Sequence, residues 1–550
     1  MKIKRWGIIA GSAVAIVASL TAFTQTDKYF EIAKNMEIFS AVYKEVNLLY
    51  VDEVNPANVM TAGIDAMLES LDPYTNYIPE DKIEDFRTQL TGQYGGIGAV
   101  IGERNDKIIV LMPYEGFPAQ KAGLQIGDEI LSVDGIATTT KNSTDVSKLL
   151  RGQADTPLKI KIKRFGQAEP IEVSLSRQKI KISSVPYYGM VNENTGFIKL
   201  SEFTQAASLE VKKALIELKT KGATQIILDV RGNPGGLLNE AVNISNIFIP
   251  KDKLVVSTKG KVSEWNTKYI TELMPDDLII PIVVLVSGRS ASASEIVAGV
   301  IQDYDRGVII GQRSYGKGLV QSTRELPYNS QIKITTAKYY TPSGRCIQAI
   351  DYSHRAADGS VAKFADSLKV AFKTTNGRTV YDGGGVTPDV DVTQDSIAPI
   401  LISLVSKSML FDYATEYHSK HATIGDAKKF NLTDAEYMDF VNWLKGKDYT
   451  YTTKVEKSLD EMTKQSKQEK YYDAMRNQLE QMKKVIDQDK ENDLIKFKAQ
   501  IIEYLEEEIA SRYYLQKGII EASFDSDNDI QAALKVLNDK AKYNSILSGK

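Results

Sequence analysis

Apolar positions along the chain fall into four textures. From 28 to 90 they come at helical spacing: Ile32, Phe39, Val42, Val46 and Leu49 recur at steps of three, four and seven and share one helical face. Residues 62–71 repeat that pattern and stop at Asp72-Pro73. From 91 to 178 glycines separate short β-rich runs at 108–112, 129–133, 158–164 and 171–175, with one helical segment at 144–150. From 179 to 395 the two periods alternate. Strands are predicted at 196–200, 225–230, 281–286 and 307–310, and helices at 209–218, 237–248 and 294–302. Such alternation predicts a mixed, layered α/β domain. The last texture, 396–550, is Lys/Glu-rich and helical. Met475, Leu479, Met482 and Ile486, then Leu494, Phe497, Ile501, Leu505 and Ile509, form stripes that would each bury one face against another helix.

One segment precedes these four. Lys2, Lys4 and Arg5 are followed by a charge-free stretch from Trp6 to Thr26. A basic flank before an apolar run reads as a signal peptide or an N-terminal membrane anchor over 1–27. No clean A-x-A site closes the run, which favours the uncleaved anchor. The positive flank then stays inside and the bulk of the chain lies outside, on the periplasmic side or elsewhere in the cell envelope.

Composition narrows the chemistry. A chain of 550 residues has room for three or four domains. Its 68 Lys plus Arg nearly balance 71 Asp plus Glu, a net charge of −3, so no electrostatic case exists for nucleic acid. The single cysteine, Cys346, excludes an intrachain disulfide framework and any multi-cysteine metal site. Only His354, His418 and His421 could serve as a histidine base. All three lie in polar or C-terminal helical sequence, where a surface role is the simpler account. Neither a metal nor another cofactor is expected.

Within the β-rich texture, Gly95-Gly96-Ile97-Gly98 precedes a strand and Ala122-Gly123-Leu124-Gln125-Ile126-Gly127-Asp128-Glu129-Ile130 follows, then Val133-Asp134-Gly135. This order resembles a PDZ domain. Glycines at 95, 96 and 98, with Ile97, let backbone N–H groups converge on a carboxylate. An adjacent edge strand can pair with an extended peptide, and the helical segment at 144–150 would form the other wall, with Val146 and Leu149 or Leu150 as apolar contacts. Asp128 and Asp134 fit turns better than catalysis.

Three segments of the α/β texture are candidates for chemistry. Leu228-Asp229-Val230-Arg231-Gly232-Asn233-Pro234-Gly235-Gly236 runs from a buried strand into a glycine turn whose free N–H groups could bind an oxyanion. Ser290-Ala291-Ser292-Ala293-Ser294-Glu295 opens a helix after a strand. Each serine alone could be an N-cap, but three in alternation cannot all cap one helix. Gly311-Gln312-Arg313-Ser314-Tyr315-Gly316-Lys317-Gly318 matches most of a P-loop. Gly318, however, stands where a magnesium-binding Ser or Thr belongs, and strand-like sequence follows, so the nucleotide reading fails.

Together these segments resemble the C-terminal processing peptidases, PDZ-containing, tail-specific serine proteases of peptidase family S41. The resemblance spans about 30–395 and includes Leu71-Asp72-Pro73-Tyr74, Tyr339-Tyr340-Thr341-Pro342-Ser343-Gly344-Arg345 and Gly383-Gly384-Gly385-Val386-Thr387-Pro388-Asp389. Tyr315 replaces the phenylalanine commoner before G-K-G. By position the resemblance implies Ser292 as nucleophile, Lys317 as general base and Gln321 as the residue orienting that lysine. It implies the N–H groups of Ala293 and of Gly236 or Gly235 as oxyanion donors. Such a lysine must be neutral to accept a proton, which burial can arrange.

The expected protein is an exported endopeptidase. Its PDZ module captures the free C-terminal tail of a protein substrate and delivers an extended segment to Ser292. Its regions are a leader (1–27), N-terminal helices (28–90), a PDZ domain (91–178), a protease core (179–395) and a C-terminal helical region (396–550). The helical regions are candidates for self-assembly or adaptor binding. The rival is a non-catalytic PDZ scaffold or chaperone on a degenerate protease frame.

Overall fold

The computed structural model describes residues 28–549 other than 357, 358 and 395, so the expected leader over 1–27 lies outside the described residues. The chain forms two compact units. Among the described residues the first comprises 28–81 together with 321–335, and the second 82–320 and 336 onward.

In the first unit residues 28–49 are helical and Pro56–Glu69 forms a second helix, capped by the Asn55 side chain and started by a proline that needs no N–H partner. The helical period over 28–49 is as expected, but its apolar face is not covered within this unit. Ile32, Phe39, Val42 and Leu49 are all exposed. Beyond Asp72-Pro73, whose carboxylate accepts from the N–H groups of Tyr74 and Thr75 (2.8 and 2.9 Å), the chain turns into the short strand Asn76–Ile78. That strand pairs antiparallel with 331–333.

The second unit is built on a six-stranded sheet, ordered Tyr187–Met190, Thr195–Lys199, Gln225–Asp229, Ile282–Val286, Val308–Gly311 and Val390–Asp391. Only the first pair is antiparallel. The central strands are buried on both faces, which is why they read as unbroken apolar runs. Alternate side chains serve opposite layers. Ile226, Leu228, Ile282, Val284 and Val286 pack with the helices Ala207–Thr220, Leu238–Phe248 and Ala293–Asp303. Ile227, Val283 and Leu285 pack with Phe524, Ile530, Ala533, Val536, Leu537 and Tyr543. The second layer therefore comes from the end of the chain, on Asn528–Asn538 and Lys540–Ser548. The C-terminal region, expected to lie outside the shared core, completes it. Its own core gathers Leu401, Leu404, Phe440, Ile501, Leu505 and Ile509. The stripe on Tyr472–Glu491 is only partly used: Leu479 is buried, while Met475 and Met482 are exposed.

Residues 91–178 form an antiparallel sheet, ordered Ala99–Arg104, Lys107–Pro113, Glu129–Val133, Pro157–Lys163 and Ile171–Ser176, with the helix Ser143–Leu150 packed on it. Among the described residues the strand Ala99–Arg104 is at the sheet edge, with a partner on one side only. Asp128 is buried and gripped by Arg164 at 2.8 and 2.7 Å, and Asp134 turns with positive φ, so both are structural.

Candidate active site

Three neighbouring parallel strands, Gln225–Asp229, Ile282–Val286 and Val308–Gly311, each end in one of the three candidate segments. Parallel strands place their C-terminal loops at one edge of the sheet, and that topology gathers segments far apart in sequence.

The serine alternation resolves into distinct tasks. Ser290 is fully buried; its Oγ accepts from the Ser287 N–H (2.9 Å) and donates to the Val230 carbonyl (2.8 Å). Ser294 is fully buried and donates to the Asn233 carbonyl (3.0 Å). Ser292 alone of the three is partly exposed. It is the N-cap of Ala293–Asp303 and adopts φ 55°, ψ −113°, a region costly for a residue with a Cβ. The surrounding bonds hold it there: its N–H donates to Glu295 Oε2 (2.9 Å) and its carbonyl accepts from the Tyr339 hydroxyl (3.1 Å).

Glu295 is the residue that sequence reasoning passed over as part of a motif. Its carboxylate is fully buried and accepts four donors. Oε2 takes the N–H of Ser292 and the N–H of Lys317, both at 2.9 Å. Oε1 takes the Gly316 N–H (2.7 Å) and the Ser314 hydroxyl (2.5 Å). One oxygen thus joins the backbone of Ser292 to that of Lys317. Burial pushes the Glu295 carboxyl above its ordinary range, and the four donors partly offset that rise. Its signal in the sequence was position: a glutamate three residues into the helix, where a capping box places it.

Lys317 is half-buried in a loop fixed at each peptide. The Gly316 carbonyl accepts from Ala349 N–H (2.9 Å), Gly318 N–H donates to Gln348 Oε1 (2.7 Å), and the Gly318 carbonyl accepts from Tyr339 N–H (2.9 Å). Gln321 belongs to the first unit, where its amide donates to Thr335 Oγ1 (3.1 Å) and the Thr335 N–H donates to Thr75 Oγ1 (3.1 Å).

The glycine turn lies directly against Ser292. A Cβ on Gly235, whose φ is 101°, would sit 2.8 Å from Ser292 Cβ and 2.9 Å from the Ala293 nitrogen. Asn233 organises both sides of the contact. Its amide donates to the Leu200 carbonyl (2.8 Å), and its own carbonyl accepts from Ala291 N–H (3.0 Å) as well as from Ser294. Its Oδ1 takes the Gly235 N–H (2.8 Å), which removes Gly235 from the two expected oxyanion donors. Among the described residues, the N–H groups of Gly236 and Ala293 have no acceptor.

In the β module the expected carboxylate nest is smaller than the sequence suggested. Gly95 and Gly96 pair with Lys179 and Gln178 as a strand, leaving Ile97 and Gly98, at φ 74°, in the turn. Val146 and Leu150 are buried in the module's own core, because their helix turns that face inward; Leu149 is half-buried beside them. The histidines lie elsewhere. His354 is exposed beside Asp351, His421 stacks on Tyr417, and His418 meets the ring of Tyr513.

The chain matches peptidase family S41 over 194–354, a PDZ domain over 109–164, and the C-terminal helical domain of probable PDZ-proteases over 400–537. A carboxy-terminal-processing protease of Bartonella bacilliformis is 34% identical over 348 residues, covering 62% of this chain and 78% of that one. The chain belongs to peptidase family S41. It is a serine peptidase carrying a PDZ domain. A probable CtpA-like serine protease of Staphylococcus aureus is also 34% identical, over 361 residues, 63% of this chain and 71% of that one. Among solved structures, a photosystem II D1 C-terminal processing protease aligns at 27% identity and TM-score 0.35, over 64% of this chain and 92% of that one.

Proposed function

We propose that this S41 peptidase cleaves proteins near their free C-terminal tails by a Ser-Lys dyad. The observation that carries the reading is the shared Glu295 oxygen, which ties the backbones of Ser292 and Lys317 together. Lys317, neutral when it acts, takes the Ser292 hydroxyl proton as Oγ bonds to the scissile carbonyl carbon. The oxyanion is received by the N–H groups of Ala293 and Gly236. Collapse of the tetrahedral species breaks the C–N bond, and Lys317 returns the proton to the leaving amine. Water then hydrolyses the acyl-enzyme by the same proton path. The edge strand Ala99–Arg104 supports tail capture by β-pairing, with the Ile97-Gly98 turn receiving the carboxylate. Export, with the leader as a membrane anchor, completes the proposal. Among the described residues no helix is long and apolar enough to cross a membrane, so anchoring rests on 1–27.

Mass spectrometry of an unstructured-tail substrate tests the dyad. The wild-type chain should cleave it, and Ser292→Ala and Lys317→Ala should each lose activity about a thousandfold or more with the fold intact. Hydrolysis retained in either variant rejects the dyad; tail binding without turnover in the wild type supports the scaffold instead.

A further inference from the structure

The glycine turn is anchored from an unexpected direction. Arg231, at its entrance, is largely buried. Its Nε and Nη2 grip Asp229 at 3.1 and 2.9 Å. Its Nη1 reaches Asp527 and Asp529, each at 2.8 Å. Those two aspartates begin the helix Asn528–Asn538, nearly three hundred residues away in sequence; Asp527 is its N-cap. Lys199 completes the cluster, pairing with Asp229 and donating to the Arg231 carbonyl, both at 3.0 Å.

Between Arg231 and Gly236 the turn is held at Asn233 and Gly235 and exposed at the residues that alternate with them. Gly232, Pro234 and Gly236 are exposed. The remaining holds are the Asn233 side chain, the Asn233 backbone, which donates to the Val230 carbonyl (3.2 Å) and accepts from Ala291 N–H and Ser294, the bond from the Gly232 N–H to Ser287 Oγ (3.2 Å), and the Gly235 carbonyl, which accepts from Phe203 N–H (3.0 Å). A turn with positive φ at 232, 235 and 236 has wide backbone freedom, so its anchors decide where the Gly236 N–H points. Asp229 takes Nε and Nη2 of Arg231 bidentately, and Nη1 is left to two further carboxylates, Asp529 buried and Asp527 half-buried. Asp529 Oδ1 has no partner among the described residues, a cost that packing alone does not explain.

We propose that Asp527 and Asp529 are positioning residues for the oxyanion turn, acting through Arg231, so that the C-terminal helical region is part of the catalytic apparatus. This rests on the peptidase reading above, in which Gly236 is a donor. The C-terminal helix acts through its contact with Arg231. It fixes the guanidinium, and the guanidinium fixes the first peptide of the turn.

The test uses the full chain with Asp527→Asn/Asp529→Asn, and Asp527→Asn alone as the milder variant. Hydrogen exchange is followed at 232–236, at Ile282–Val286 and at Asn528–Asn538, alongside steady-state kinetics. Expected are exchange at 232–236 faster by about tenfold and kcat lower by roughly ten- to hundredfold, with KM within about twofold and protection of the strand and helix kept. Unchanged exchange at 232–236 overturns the proposal, as does a rise spread equally over turn, strand and helix, which is the mark of a purely structural role. Failure of the peptidase reading would show separately, as wild-type turnover independent of Ser292, while the exchange pattern still decides the positioning.

Discussion

At the scale of single residues Glu295 links the proposed nucleophile, Ser292, to the proposed base, Lys317. Four donors on one buried carboxylate require acceptor oxygens, so the ionised form is the one that fits. Glu295→Gln turns one acceptor into an NH2 group facing N–H donors. With charge-assisted bonds contributing about 1.5–3 kcal/mol each, kcat should fall at least roughly tenfold while circular dichroism stays native. Acid does the same without mutation. The folded pKa lies above the ordinary 4.5, so protonation in the native enzyme begins at a pH higher than 4.5. The activity profile should show an acid limb above that value, and a rate holding constant down to pH 4.5 rules the clamp out. For stability the sign is opposite: the native state binds this proton more tightly than the unfolded one. Its stabilising contribution is present below 4.5 and lost as pH rises through the native pKa. Asp229 behaves conversely. Burial raises it, but Arg231 and Lys199 more than offset that and hold it at about 2 against an ordinary 3.8, so its contribution is lost only as pH falls towards 2. Ser292 and Lys317 stood out in the sequence as candidates because motif and chemistry agreed. Glu295 was hidden inside the same motif, since a carboxylate that binds mostly backbone N–H groups leaves no charge-pairing pattern in the sequence.

At the scale of elements, the contact between turn and helix start is a tight constraint. Gly235→Ala would press a Cβ to 2.7 Å from the Ala291 carbonyl and 2.8 Å from Ser292 Cβ, in a φ that side chains avoid. Hydrolysis should drop by roughly a hundredfold or more, and thermal stability by about 1–3 kcal/mol; near-normal rates would show that the turn does not set the nucleophile. The elements themselves were readable where burial has a simple period. Strands 225–229 and 282–286 and the helix after Ser292 are within one or two residues of expectation. What period cannot reveal is which surface covers a face. The stripe at Ile32, Phe39 and Val42 is helical and yet exposed. The Val146–Leu150 face, assigned to a peptide groove, is used by the module's own core instead. The Gly235 N–H was lost as a donor for a similar reason: Asn233, one residue from a proline in an unremarkable turn, takes it.

At the scale of the whole chain, the C-terminal region changes from appendage to structural layer. Its helices looked separable because their sequence is charged and follows a long α/β segment, and nothing in their pattern names the sheet they cover. Removing 396–550 to test self-assembly would therefore strip the sheet rather than isolate a function. The sharper prediction concerns the end alone. Truncation after Ser523 removes Phe524, Ile530, Val536 and Leu537 from Ile227, Val283, Leu285 and Ile310, all of them buried. At about 1.5–3 kcal/mol for each large side chain, the loss is comparable to the roughly 5–15 kcal/mol that holds a domain folded. The truncated chain should aggregate or unfold without a cooperative transition, and calorimetry distinguishes this from a folded, inactive protein. The milder Val536→Ala should unfold cooperatively with stability lower by about 1–3 kcal/mol and with kcat per folded molecule unchanged. Covering the sheet and aiming the oxyanion turn are then separable tasks of one helix: Val536 serves the first, and Asp527 with Asp529 the second. A Val536→Ala enzyme that loses kcat as the aspartate variants do would merge the two.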